Sequence, residues 1–315
     1  MAIDLASRRR GQELRRSVLP GPAANAPSAS RGARTPFLSE SRAYALLILA
    51  PLAVMAVLFA YPFAALVARS FSSPSGPFGH YIDLLGDETF QIALWNTFLY
   101  ALITAASTAL LGYPIALLLA SVRASFTNIL LLLVLVPFWT SVVVRCYAWI
   151  VLLGRHGVLN ESLSRIGLLD APLQLVFNGV GVIIGMVHVM LPYMVLSIFS
   201  AMTRLNREIL AAADSLGATR MQAFFRVLLP LTMPGVLGGF SLVFVMSLGF
   251  FITPALLGGP RNLVAAMVIR DQVTKELAWD DAAAASVILL ILTCGTFLVA
   301  ARVFGLKRHM PHFGR

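Results

Sequence analysis

Residues 204–230 read RLNREILAAADSLGATRMQAFFRVLLP, and they join two stretches, Phe177–Met202 and Leu231–Leu257, that contain no Asp, Glu, Lys or Arg. Each flanking stretch exceeds the roughly 20 apolar residues needed to cross a hydrocarbon core of about 30 Å. The joining segment is amphipathic. Asn206 is placed to cap a helix, with Glu208 in its first turn, where the macrodipole favours an anion. Leu205, Ile209, Ala212, Ala213 and Leu216 recur at helical spacing and form an apolar stripe. Gly217 follows as a left-handed C-terminal cap. Thr219-Arg220-Met221-Gln222 is a capping box that opens a second helix. That helix carries Phe224, Phe225, Val227, Leu228 and Leu229, and a kink into the next apolar stretch is predicted at Pro230 and Pro234. The pattern specifies a helix, a glycine turn and a second helix, with more apolar surface than a connector needs. Two readings of that surface stand side by side: a helix pair lying in the bilayer interface, or a knob that docks in the groove of a partner.

Working outward, four more stretches of the same kind occur, Ala43–Val67, Ile92–Ala120, Ile129–Leu153 and Ala283–Ala301. The six together hold nearly half of the 315 residues and no Asp, Glu or Lys; Arg145 and His188 are their only basic side chains. Charged residues make up 12% of the chain, about half the share in soluble domains. Six helices apolar all round do not fit a water-soluble bundle of this length. The fold class predicted is an all-α polytopic membrane protein with six transmembrane helices.

Direction follows from the Lys and Arg of the connections. With the N-terminus inside, seventeen basic residues fall on the inner side and six on the outer, while acids run five to nine the other way. Both termini are therefore predicted cytoplasmic, and the loop 204–230 with them. The net charge of +10 is read as this positive-inside bias, and no nucleic-acid partner is predicted. Residues 1–42 read as a disordered basic tail, 43–305 as the membrane domain and 306–315 as a second cytoplasmic tail. The first apolar stretch is too long for a cleaved signal and reads as a retained anchor.

No phosphate-binding loop, H-E-x-x-H or G-x-S-x-G motif occurs, and the two cysteines, Cys146 and Cys294, sit apart in apolar stretches. No catalytic residue, metal or cofactor is predicted. The spans also lack the acid that a proton- or sodium-coupled carrier uses, so energy comes from another polypeptide or transport is passive. A gradient-driven or passive transporter, and a scaffold that recruits a cytoplasmic partner, remain as alternatives. Arg145, Tyr147, Trp149 and His188 are candidates for a solute path. The competing reading has Arg145 snorkelling to headgroups and His188 as a hydrogen-bonded packing residue.

The loop resembles the EAA loop of the integral-membrane subunits of bacterial ABC importers. Ala211-Ala212-Ala213, three residues, Gly217, nine residues, Val227, Leu228 and Leu229-Pro230 reproduce the family spacing, with Ala211 where the family has Glu and Val227 for Ile. V-P-F-W-T-S at 136–141, R-C-Y-A-W at 145–149, G-V-L-N at 157–160, P-L-T-M-P-G at 230–235 and T-P-A-L-L-G-G-P at 253–260 are similar to permeases of the spermidine/putrescine type. The resemblance implies a type I permease fold with cytoplasmic coupling helices, in a multi-pass subunit of the bacterial inner membrane. It implies coupling to a separate ATPase through Ala211, Ala212, Ala213, Gly217, Leu229 and Pro230. Two readings of Asp214 and Glu208 stand: one of them substitutes for the missing Glu, or they merely solvate the helix. The partners it implies are two ATP-binding subunits, a second permease subunit or a second copy of this chain, an extracytoplasmic solute-binding protein and the lipid of the membrane.

Overall fold

The computed structural model of the chain describes residues 37–168 and 171–303. The tail assigned to 1–42 lies outside them except for 37–42, which are helical, and the tail at 306–315 lies wholly outside. Among the described residues every regular element is helical. In chain order these are α1 (Phe37–Ser70), α2 (Gly79–Gly86), α3 (Glu88–Ser121), α4 (Ala124–Leu135), α5 (Val142–Leu153), α6 (Val158–Arg165), α7 (Gly179–Thr203), α8 (Arg207–Ser215), α9 (Arg220–Leu248), α10 (Ile252–Leu257), α11 (Ala265–Asp271) and α12 (Trp279–Val303). Among the described residues six segments are long and apolar enough to cross a membrane: Leu47–Ser70, Glu88–Ser121, Val142–Arg165, Gly179–Thr203, Arg220–Leu248 and Trp279–Val299.

Two predicted spans are not single helices. Ile129–Leu153 breaks after α4 into a 3-10 turn at Val136–Trp139 and restarts as α5. Pro137 cannot donate a backbone hydrogen bond, so the α ladder fails there. Leu231–Leu257 ends as a helix at Leu248, and Gly249, Phe250 and Phe251 separate it from the short α10. The expected kink at Pro230 takes another form. Residues Phe224–Leu228 form one π turn, closed by the Leu229 N–H on the Phe224 carbonyl, and Pro230 lies just beyond it in the continuing helix. The wider turn lets the chain pass a residue without an N–H while staying helical.

Contacts divide the chain into two units, Met1–Tyr61 and Pro62–Arg315. The described part of the first is the N-terminal portion of α1, and large apolar side chains on it such as Leu47, Val57 and Phe59 are exposed, as hydrocarbon solvent permits. In the second, α3, α7 and α9 pack on one another. Leu119, Met190, Met194, Val195, Ile198 and Val243 are buried where they meet. Lipid removes most of the hydrophobic drive for such packing, so close fit and interhelical hydrogen bonds carry it. At Gly235 a Cβ would come within 3.1 Å of the Ser197 carbonyl, and the Ser197 hydroxyl donates to the Gly235 carbonyl at 2.8 Å. α12 lies against α2 and α11, burying Ala284, Ala285 and Ile288 with Leu84 and Phe90.

The connection between α10 and α11 is stitched to α3. Asn96 donates to the Arg261 and Leu263 carbonyls, each at 3.0 Å. Thr97 Oγ1 accepts from the Ala265 N–H at 2.8 Å, and Asn262 donates to the Tyr100 hydroxyl at 2.6 Å. Within α6, buried Asn160 donates to the Gly154 and Leu173 carbonyls and accepts from the Leu173 N–H.

Candidate functional site: the hairpin between the fourth and fifth spans

α8 begins as its sequence dictates. Asn206 Oδ1 accepts the Glu208 N–H at 3.0 Å, and Asn206 Nδ2 donates to Glu208 Oε2 at 2.8 Å. The helix ends in a Schellman motif. The Ala218 N–H reaches the Ala213 carbonyl at 3.1 Å, the Gly217 N–H reaches the Asp214 carbonyl at 3.0 Å, and Gly217 sits at φ +80°. The turn therefore needs a residue that takes a left-handed conformation without a Cβ penalty. Thr219 and Gln222 then form the reciprocal capping box, with the Gln222 N–H on Thr219 Oγ1 at 3.3 Å and the Thr219 N–H on Gln222 Oε1 at 3.0 Å.

The stripe read from the sequence splits in two. Ala213 and Leu205 are half-buried, whereas Ala211, Ala212, Ile209 and Leu216 are exposed, Leu216 at 89%. Met221 and Phe225 add to the exposed apolar surface from the second helix. Glu208 and Asp214 are exposed on α8. Leu229 is half-buried and Pro230 exposed, one turn beyond the hairpin.

The root of the hairpin is fixed to α3 by residues that the loop pattern does not reveal. Tyr113 stands edge-on to Phe224, with centroids 5.7 Å apart, and its hydroxyl is 2.9 Å from Thr232 Oγ1. Thr232 also donates to the Leu228 and Leu229 carbonyls at 2.9 and 3.1 Å, satisfying acceptors where the π turn disturbs the ladder. Tyr113 lies in a different span, more than a hundred residues away; an intramembrane tyrosine is the only signal that could have raised it. Beside the root, a cavity of 450 Å³ is lined by Ser197, Ser200, Arg204, Leu205, Leu231 and Pro234.

The four intramembrane candidates separate into three environments. Arg145, 9% exposed, folds back so that one Nη donates to the Pro137 carbonyl and, at 2.9 Å, to the Thr140 carbonyl. It caps the carbonyls freed by the break between α4 and α5, where a guanidinium also complements the dipole. Trp149 and His188 come together: Trp149 Nε1 donates to His188 Nδ1 at 3.1 Å across an edge-on ring pair. Since Nδ1 accepts, the ring proton of neutral His188 is on Nε2. Tyr147 is exposed on another side of α5. Near them, Phe138 packs on Tyr193 with centroids 4.9 Å apart. Among the described residues no group of three or more His, Cys, Asp or Glu is arranged to hold a metal.

Among the described residues, six segments long and apolar enough to span a membrane, with an exposed helical hairpin between the fourth and fifth, define a multi-pass membrane protein. Residues 110–307 match the family model described as binding-protein-dependent transport system inner membrane component, and the chain belongs to that family. It is 38% identical to the spermidine/putrescine transport system permease protein PotB of Salmonella typhimurium (strain LT2) over 68% of this chain and 74% of that one. It matches PotB of Escherichia coli (strain K12) at the same identity, over 68% and 77% of the two chains. Among solved structures it is similar to a chain of the bacterial alginate ABC transporter in complex with an alginate pentasaccharide-bound periplasmic protein, with a TM-score of 0.68 and 22% identity, covering 84% of this chain and 95% of that one. The chain is thus the inner-membrane permease subunit of an ATP-driven importer of type I fold, and it is not itself an enzyme: ATP hydrolysis belongs to a separate subunit.

Proposed function

We propose that this permease moves a polyamine of the spermidine/putrescine kind or a related small solute, and that residues 204–230 are its contact with the ATPase. The observation that carries the second part is the hairpin itself: a cap, a Schellman turn and a capping box hold Leu216, Met221 and Phe225 out in the open. Exposed apolar side chains on a rigid helix pair suit a groove in another protein. Ala211, Ala212, Ala213, Asp214 and Gly217 build the knob; Leu229 and Pro230 join it to the fifth span. Asp214 and Glu208 supply the charge that Ala211 lacks. ATP-driven movement of the knob then reaches α3 through Phe224, Tyr113 and Thr232.

In this reading both termini and the hairpin are cytoplasmic, residues 1–42 and 306–315 are tails, and 43–305 are the permease domain. The working complex holds two ATP-binding subunits, a second permease subunit or a second copy of this chain, and an extracytoplasmic solute-binding protein. The polyamine assignment rests on the likeness to PotB. The apolar stretches predicted as spans bear no carboxylate to select a polycation, so selection falls to the binding protein. Arg145 serves the path indirectly, by holding the broken third span; Tyr147 and the Trp149–His188 pair are the candidates to face the solute. The test is uptake of labelled spermidine, putrescine and unrelated solutes into vesicles bearing the complete complex, with ATP and binding protein present or withheld. Uptake of a polyamine only with both present supports the assignment; polyamine uptake without ATP overturns it.

A further inference from the structure

Two cavities meet where α1 ends and α12 begins. One, of 560 Å³, is an apolar trough walled by Pro62, Ala65, Leu66, Ile269 and Ala283. The other, of 420 Å³, is a polar cup that includes Ser72, His80, Asp280 and Asp281. Arg69 and Trp279 line both, so the two form one amphipathic site.

The charges of the cup are not spent on each other. Among the described residues neither Arg69 nor Asp280 makes an ion pair. Asp281 is held by His80 Nδ1 at 2.6 Å, and His80 Nε2 is buried without a partner. A carboxylate only accepts, so His80 Nδ1 is the donor of that bond, and Asp280 is the carboxylate that the cup leaves open. A guanidinium and a carboxylate that share a cavity without pairing complement a ligand bearing both signs. The membrane offers such a ligand at this depth: Arg69 lies in the last turn of the first span, and Trp279, half-exposed, opens the sixth, the positions at which cationic and indole side chains meet headgroups.

We propose that this site binds a phosphatidylethanolamine molecule, with its phosphate on Arg69, its ammonium on Asp280, and an acyl chain in the trough. A primary ammonium donates hydrogen bonds to a carboxylate, and a trimethylated choline headgroup donates none. An anionic headgroup meets Arg69 but is repelled by Asp280 and Asp281.

The test uses the complete transporter in nanodiscs of mixed phosphatidylethanolamine, phosphatidylcholine and phosphatidylglycerol, with the lipid that stays bound after extraction identified by native mass spectrometry. Phosphatidylethanolamine is expected to be retained over the other two. Arg69→Ala is expected to lower its retention roughly fivefold, the effect of one basic residue at a membrane surface. Asp280→Asn abolishes the preference over phosphatidylcholine, and Arg69→Lys and Asp280→Glu, which keep the charges, behave as the parent. Retention indifferent to headgroup or to all four substitutions overturns the proposal. So does a cross-link from Ala65→Cys to a second permease subunit that fills the trough.

Discussion

Gly217 carries the geometry of the hairpin turn. At φ +80° a side chain with a Cβ costs about 1–2 kcal/mol, and the Schellman bonds of Ala213 and Asp214 weaken with it. Gly217→Val is expected to cut ATP-dependent uptake severely while the purified subunit still folds; full uptake by this variant would remove the hairpin from the coupling route. Arg145 is a second single-residue hinge of the argument. Arg145→Met leaves the Thr140 carbonyl without its donor, while the Pro137 carbonyl keeps the Thr140 hydroxyl and N–H; the loss costs about 1–3 kcal/mol and is expected to lower the thermal midpoint in detergent. Arg145→Lys, a point donor on a flexible stem, falls between. A midpoint unchanged in both would mean that the break holds without its cap. The sequence exposed Gly217 because one residue type answers a left-handed turn. It left Arg145 between snorkelling and a solute path, because whether the guanidinium reaches a headgroup or its own backbone depends on a break that composition hides.

At the scale of elements, apolar length located the spans and Pro137 explains the broken third one. Periodicity could not foresee the break, since a run of apolar residues reads alike whether its backbone is continuous or not. The hairpin was legible because caps are local: Asn206, Gly217, Thr219 and Gln222 each act within four residues. Its anchoring to Tyr113 is long-range and left no local pattern. The exposed face of the hairpin should be sensitive to charge. Leu216→Glu with Phe225→Glu is expected to abolish association with the ATPase without changing helix content by circular dichroism, whereas retained association would favour a helix pair that merely lies on lipid. On the other connection, the Lys275 ammonium, then the Arg270 guanidinium, holds the Asp271 carboxyl below the usual carboxylate range. Such a group stabilises the fold at pH above its unfolded value, and the effect fades as pH falls through its lowered folded value. Asp271→Asn should therefore lower the thermal midpoint slightly at neutral pH, and the difference from the parent should vanish in strong acid.

At the scale of the molecule, a permease subunit of this family takes its energy from a separate ATPase, and the exposed apolar knob is the proposed contact. In the proposed coupling, the packed body of α3, α7 and α9 is what carries a push from the hairpin. The most direct measurement places a single cysteine at Leu216 (Leu216→Cys, with Cys146 and Cys294 replaced by Ser) in the complex with its ATP-binding subunit. Cross-linking to that subunit, with yield changing between the nucleotide-free and ATP-bound states, is the predicted result. Labelling of that cysteine by an impermeant thiol reagent added outside intact cells, with no cross-link in either state, would contradict the account.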